Sequence, residues 1–200
     1  MDTAHRNNGQ PSEPECSVGE TCIIYLVRHA TPDWNRRDIP YHLPPGPPLT
    51  EQGVAEAQAL AAFLRQAGVG FLITSPLERC QHTAQIAATQ SAVEVEIDPA
   101  LQELQPGETE AAVLARVLPV VQKTCRRTAQ TGPVGIITHG GVIKALLHAL
   151  GMNTDELARQ PRYDHGNLLP PAAVWQAECL GDGAWRLKPV FAPEVEAQVP

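Results

Sequence analysis

The chain has 200 residues, of which 43% are hydrophobic, and 22 acidic against 15 basic residues leave a formal charge of −7. That is enough chain for one domain with a real core, and too little for two roomy ones. The acidic excess argues against a general nucleic-acid binder, which carries a basic surplus, although a local cationic pocket fits inside an acidic protein.

Residues 1–20 (MDTAHRNNGQPSEPECSVGE) are rich in Asn, Gly, Pro, Ser and Glu and predict a disordered tail ahead of a single domain over residues 21–200. They contain no apolar stretch of the kind a secretory signal needs, and no run in the chain approaches the roughly 18 residues of a membrane span. The five cysteines, Cys16, Cys22, Cys80, Cys125 and Cys179, are odd in number, widely spaced and without a C-x-x-C pair. They read as reduced thiols of a cytoplasmic protein rather than a disulfide frame or a zinc site.

CIIYLV (22–27) is a continuous apolar run, the pattern of a strand buried on both faces of a parallel sheet. Residues 31–48 are Pro-rich and predict a long loop after that strand, a frequent place for function. TEQGVAEAQALAAFLRQA (50–67) predicts a helix with Thr50 as N-cap, Val54, Ala57, Ala61 and Leu64 on its apolar face, and Gly68 as its stop. VGFLI (69–73) predicts a second buried strand. In SPLERCQHTA, Ser75, Pro76 and Glu78 predict a capping box at the start of a second helix. VEVEI (93–97) alternates like a half-exposed strand. Residues 110 to about 130 predict a third helix, interrupted or kinked at Pro119. VGIIT (134–138) predicts another buried strand, VIKALLHAL a helix stopped by Gly151, and WQAECL with WRLKPV a late hairpin. Alternating strands and helices imply an α/β fold, a three-layer α/β/α sandwich around a mostly parallel sheet.

Ligands in such folds bind at the carboxyl ends of the strands. Here one apolar strand ends in Arg28-His29, a second leads through Ser75 to Arg79, and a third ends in His139. Each residue alone has a plain structural reading, as an edge ion pair or a hydrogen-bonded core histidine. Arg79 resists it, because the positive end of a helix disfavours a cation. A bound anion would reconcile Arg79, Arg28 and the Gly140-Gly141 helix start, and arginine forks suit a dianionic phosphate. Walker A, G-x-G-x-x-G and H-E-x-x-H motifs are absent from the sequence, so nucleotide and metal sites have no motif behind them.

In LVRHATPDWN, SPLERCQHTA and ITHGG, taken in this order, the chain resembles the histidine phosphatase superfamily, also called phosphoglycerate mutase-like. PLTEQGVAEAQALA (48–61) and NLLPPAAVWQAECLGDGAWRL (167–187) resemble that family's first helix and final strands. The likeness spans about residues 22–190. It implies a phosphoglycerate mutase-like fold and a metal-independent phosphomonoesterase without a cofactor. His29 then matches the nucleophile that becomes phosphorylated, and Arg28, Asn35, Arg79 and His139 match the phosphate pocket. The general acid falls in LQELQPGE (101–108), as Glu103 first and Glu108 second. A surface position for both carboxylates is the competing reading, since a phosphohistidine substrate leaves without an acid.

Ala30 stands where the family has glycine, and Pro32 where Ser or Thr is common. The short segment 104–133 leaves no room for the lid of the mutases, which implies an open site. The substrate class is a phosphorylated small molecule or a phosphoprotein, with no nucleic acid or membrane partner. Competing functions are a phosphohistidine protein phosphatase, a cofactor-dependent phosphoglycerate mutase and a weakly active phospho-ligand-binding module. His42 and His165 fall near the expected mouth, while His82 and His148 fit solvated helix faces. Oligomeric state is not legible.

Overall fold

A computed structural model describes residues 21–181 and 183–194. The tail expected over residues 1–20, Cys16 included, lies outside the described residues. The apolar runs form β1 (Cys22–Arg28), β2 (Phe71–Thr74), β3 (Glu94–Ile97), β4 (Val134–Thr138), β5 (Val174–Cys179) and β6 (Trp185–Phe191). They make one sheet in the order β3-β2-β4-β1-β5-β6. The first four run parallel, β5 pairs antiparallel with β1, and β6 antiparallel with β5.

The period-2 geometry of a strand splits β1 between two cores. Ile24 and Leu26 face α3 (Glu110–Thr131), α4 (Gly140–Ala149) and the short α5 (Thr154–Arg159). Tyr25 and Val27 face α1 (Glu51–Gln66) and α2 (Glu78–Ser91). The result is the three-layer α/β/α sandwich. β3 lies at the sheet edge and is half exposed, as its alternating sequence predicts.

Helix α1 starts as predicted, with the Thr50 side chain accepting from Gly53 N–H. Of its expected apolar face, Ala57, Ala61 and Leu64 are buried together with Leu60, while Val54 is half-buried. Gly53 is required for another reason: a Cβ there would lie 2.2 Å from the Thr31 carbonyl oxygen, so its absence lets α1 dock on the loop after β1.

Three expectations need correcting. β2 begins at Phe71 rather than residue 69. The capping box at Ser75 does not form: α2 starts at Glu78 with Leu77 as an N-cap that makes no side-chain bond, and the Glu78 N–H donates to the Pro45 carbonyl. The Ser75 hydroxyl accepts from Leu77 N–H at 3.4 Å and pairs more closely with His139, at 2.9 Å. Helix α3 runs unbroken through Pro119. The carbonyl that Pro119 leaves without a donor belongs to Ala115, and both residues are exposed, so water can serve it. Val113, Val117, Leu118, Val120 and Val121 meanwhile anchor both halves of the helix in the core.

Candidate active site

β1 and β2 both flank β4, so their carboxyl ends are adjacent. His29 N–H donates to the Thr138 carbonyl at 3.0 Å and Ser75 N–H to the Ile137 carbonyl at 3.0 Å. These ladder bonds carry the sheet one residue past each strand and bring Arg28-His29, Ser75 and His139 to one edge. Thr138 Oγ1 donates to the Leu101 carbonyl at 2.8 Å and ties in the 3-10 turn Pro99–Leu101 that precedes Glu103.

His29 is 1% exposed. Its Nδ1 lies 2.8 Å from the Ala30 carbonyl oxygen, which can only accept, so Nδ1 carries the proton and Nε2 keeps its lone pair. Burial, followed by the charges of Arg79 and Arg28, pushes the imidazole well below its usual titration range, against the Ala30 bond. The ring is therefore a neutral base at neutral pH.

His139 faces it with ring centroids 5.3 Å apart. Arg79 Nη2 lies 3.2 Å from His139 Nδ1, and a guanidinium can only donate, so Nδ1 accepts. The other nitrogen, Nε2–H, donates to Ser75 Oγ at 2.9 Å. Burial, then Arg79, holds His139 well below its usual range too. Cys80 Sγ sits 3.6 Å from His139 Nε2, and burial pushes its thiol up to about 12, so it is an inert neighbour.

Arg79 lies in the first turn of α2 and is fully buried. The Tyr41 ring covers its guanidinium at 4.0 Å, and Nη1 donates to the Tyr41 carbonyl at 3.0 Å. Glu103 Oε2 lies 3.7 Å from Arg79 Nη2 and 3.4 Å from His139 Nδ1. Burial raises the Glu103 carboxyl above its usual range, although its bond from Leu104 N–H and the charge of Arg79 oppose this. Arg116 fixes this segment by donating to the Ala100 and Gln102 carbonyls and to both Glu108 oxygens.

The Nε atoms of Arg28 and Arg79 are buried with no hydrogen-bond partner among the described residues. Two orphan guanidinium donors beside a neutral imidazole and a protonatable carboxyl make a site suited to a phosphoryl group. His29, Glu103 and His139 also offer one ligand atom each, all within 4.8 Å of one another, a donor set that a metal ion could use. The two guanidiniums beside it oppose a further cation.

The family model of the histidine phosphatase superfamily (branch 1) matches residues 24–112 and 104–169. The chain belongs to this superfamily. The probable phosphoglycerate mutase GpmB of Proteus mirabilis (strain HI4320) is 36% identical over 119 residues, 58% of this chain and 54% of the relative. The chain thus spans about half the length of the curated relatives it matches. Among solved structures, a mycobacterial glucosyl-3-phosphoglycerate phosphatase superposes with a TM-score of 0.69 at 21% identity, covering 85% of this chain and 98% of that one. A phosphoglycerate mutase from Bacillus anthracis str. Sterne gives 0.69 at 16% identity, covering 90% and 95%. At these identities the two structures establish the shared fold.

Of the residues singled out in the sequence, His29, Arg28, Arg79, His139 and Glu103 lie at this edge of the sheet. Asn35 does not join them; it is exposed and lines a cavity outside. Glu108 is also apart, because its hydrogen bonds to Arg116 hold its carboxyl below the usual range. His148 is exposed, as expected, and pairs with Glu110, while His82 is half-buried. His165 packs on Trp34, and His42 on Tyr41.

From the proline loop, the Tyr41 ring lies over Arg79 and Trp34 stacks on Tyr41. Two participants were missed in the sequence. Ser75 was assigned to a helix cap. Asp164 stands in a polar loop with nothing in its spacing to mark it, and its carboxylate takes both terminal nitrogens of Arg28, at 2.7 and 2.5 Å.

Proposed function

We propose that the chain is a phosphatase that hydrolyses phosphate monoesters through a phosphohistidine on His29, with residues 21–200 as its single domain. The observation that carries this reading is the His29 imidazole itself. It is neutral, protonated on Nδ1 by its bond to Ala30, and its Nε2 lone pair is set among buried guanidiniums with unused donors.

Nε2 attacks phosphorus, and the bond to the leaving oxygen breaks. The Glu103 carboxyl, whose proton affinity burial raises, gives its proton to that oxygen. Water then attacks the phosphoryl group, Glu103 takes the water proton, and the P–N electron pair returns to Nε2. Arg79 and Arg28 stabilise charge on the equatorial oxygens, with His139 flanking them. Each step uses residues of this chain, without a metal ion or cofactor.

A small phosphorylated molecule suits the covered site better than a folded phosphoprotein, because Tyr41 and Trp34 lie over it. This reading places the chain in a reducing compartment such as the cytoplasm, which would keep the buried Cys22 and Cys125, with Sγ atoms 3.0 Å apart, as thiols.

The test is phosphate release from p-nitrophenyl phosphate across about pH 4 to 8, with and without EDTA, bracketing the ordinary carboxyl and imidazole values. Chelator-resistant turnover that His29→Ala abolishes, with its circular dichroism unchanged, is the expected result. Full activity in His29→Ala would sink the proposal. Transfer of phosphate along 3-phosphoglycerate without release would assign the site to a mutase instead.

A further inference from the structure

Arg28 is 1% exposed, and its fork is already full. Nη1 donates to Asp164 Oδ1 at 2.7 Å and to the Leu169 carbonyl at 2.7 Å, and Nη2 donates to Asp164 Oδ2 at 2.5 Å. Both terminal nitrogens are therefore held by one carboxylate in the two-pronged geometry that a phosphate would use. We infer that Asp164 is an internal stand-in for the phosphoryl group: its carboxylate occupies the Arg28 fork in the empty enzyme, a dianionic phosphate displaces it, and it thereby selects dianionic monoesters over monoanionic ligands.

The inference rests on the phosphatase reading of the site, and three observations support it. The first is charge. Counted over Arg28, Arg79 and the Asp164 carboxylate between the prongs of the Arg28 fork, the cluster carries one net positive charge. A dianion that expels Asp164 brings it to zero. A monoanion that expels Asp164 leaves it at one positive charge, with no electrostatic gain over the internal carboxylate. An intramolecular competitor also has the advantage of high effective concentration. A monoanion thus competes at a loss, while a dianion wins by its second charge.

The second is that Asp164 can leave. Its side chain is 31% exposed, unlike the buried Arg28. It borders a cavity of about 800 Å³ lined by Trp34, Tyr163 and Pro171 among others, which gives the carboxylate water to move into.

The third is that its turn is a self-contained unit. Tyr163 N–H bonds the Asn167 carbonyl, and Gly166 N–H returns to Tyr163. The turn touches the covering loop through the His165 ring on Trp34, at 4.6 Å between centroids. Withdrawal of Asp164 therefore moves the turn against the cover of the site and couples anion binding to opening.

A residue that merely orients Arg28 predicts the opposite outcome on mutation, so the two roles separate cleanly. Inorganic phosphate and dimethyl phosphate are titrated calorimetrically into wild type, Asp164→Asn and Asp164→Ser, with folding checked by circular dichroism. Two neutral replacements in a partly exposed turn guard against one that fails to fold. Loss of the competing charge is expected to tighten phosphate binding about ten-fold, equivalent to about 1.4 kcal/mol. It should also narrow the preference for phosphate over dimethyl phosphate. Unchanged or weaker phosphate binding in the neutral variants would overturn the stand-in role and make Asp164 a positioning residue. Tighter phosphate binding without turnover of any ester would uphold the inference while removing the phosphatase reading. Phosphate binding to none of the proteins would remove both.

Discussion

Acidification from neutral pH to about pH 5 is expected to destabilise this chain through its two buried imidazoles. His29 and His139 are 1% and 0% exposed, and burial together with Arg79 and Arg28 holds both well below 6.5. In the unfolded chain each titrates near 6.5. Below that pH the unfolded chain binds two protons that the folded chain refuses. A depressed folded value means the stability is present in full above 6.5 and is lost as pH falls towards the folded values.

Each refused proton contributes a slope of about 1.4 kcal/mol per pH unit. Two give about 2.7 kcal/mol per unit, a large part of a typical total of about 5–15 kcal/mol. Glu103 works the other way. Its folded carboxyl is raised above 4.5, so its contribution is present in full below that value and is lost as pH rises through the raised one. It offsets part of the loss at the acid end. The assay is urea unfolding at half-unit intervals from about pH 7 to 5, for wild type and His139→Asn. Removing one imidazole should reduce the slope between about pH 6.5 and 5.5 by about 1.4 kcal/mol per unit. An unchanged slope in His139→Asn would refute the claim that its imidazole is buried neutral.

Two further outcomes follow from the same geometry. Ser75→Ala removes the acceptor of His139 Nε2–H and leaves a buried donor unmet, which should cost about 1–3 kcal/mol in urea unfolding and lower kcat as the ring loses its anchor. Glu103→Gln should lower kcat about 10²–10⁴-fold on a poor leaving group and remove the alkaline limb of the pH–rate profile, because activity through a protonated acid is lost as pH rises past its raised value. In that variant the acid limb, set by protonation of His29, should stay in the phosphate-release profile.

The backbone plan was legible because each strand of the sheet interior is a short apolar run stopped by polar residues. β1 and β4 fell within a residue of their expected ends. Taking the strand ends together likewise brought His29, Arg79 and His139 to one edge of the sheet, since parallel neighbours place such ends side by side. Local rules failed where a tertiary partner outbid them. Ser75 has the sequence of a helix cap and keeps a long 3.4 Å bond from Leu77 N–H, but its shorter bond, at 2.9 Å, is to His139, 64 residues away. Pro119 should break a helix, yet it falls on the solvent face of one. Asp164 lies 136 residues from Arg28, and no local pattern announces a contact across that distance.

In the proposed mechanism Arg28 and Arg79 are under three demands that pull against one another. They must grip an anion, they must hold His29 neutral, and they must remain buried when no anion is present. Proximity to His29 meets the second demand, and complete burial strengthens it, because charges act more strongly away from water. The same burial makes the empty site expensive, since an uncompensated interior cation costs several kcal/mol. The two arginines meet that difficulty differently. Arg79 is compensated by groups that do not compete for its outer donor: the Tyr41 ring and carbonyl, and a carboxyl that burial keeps protonatable. Arg28 is compensated by a full carboxylate on both prongs of its fork. Neither set of partners includes the two Nε donors, which find none among the described residues. In the proposed mechanism the gain from pairing these Nε donors with phosphoryl oxygens offsets the loss of the Asp164 carboxylate from the Arg28 fork.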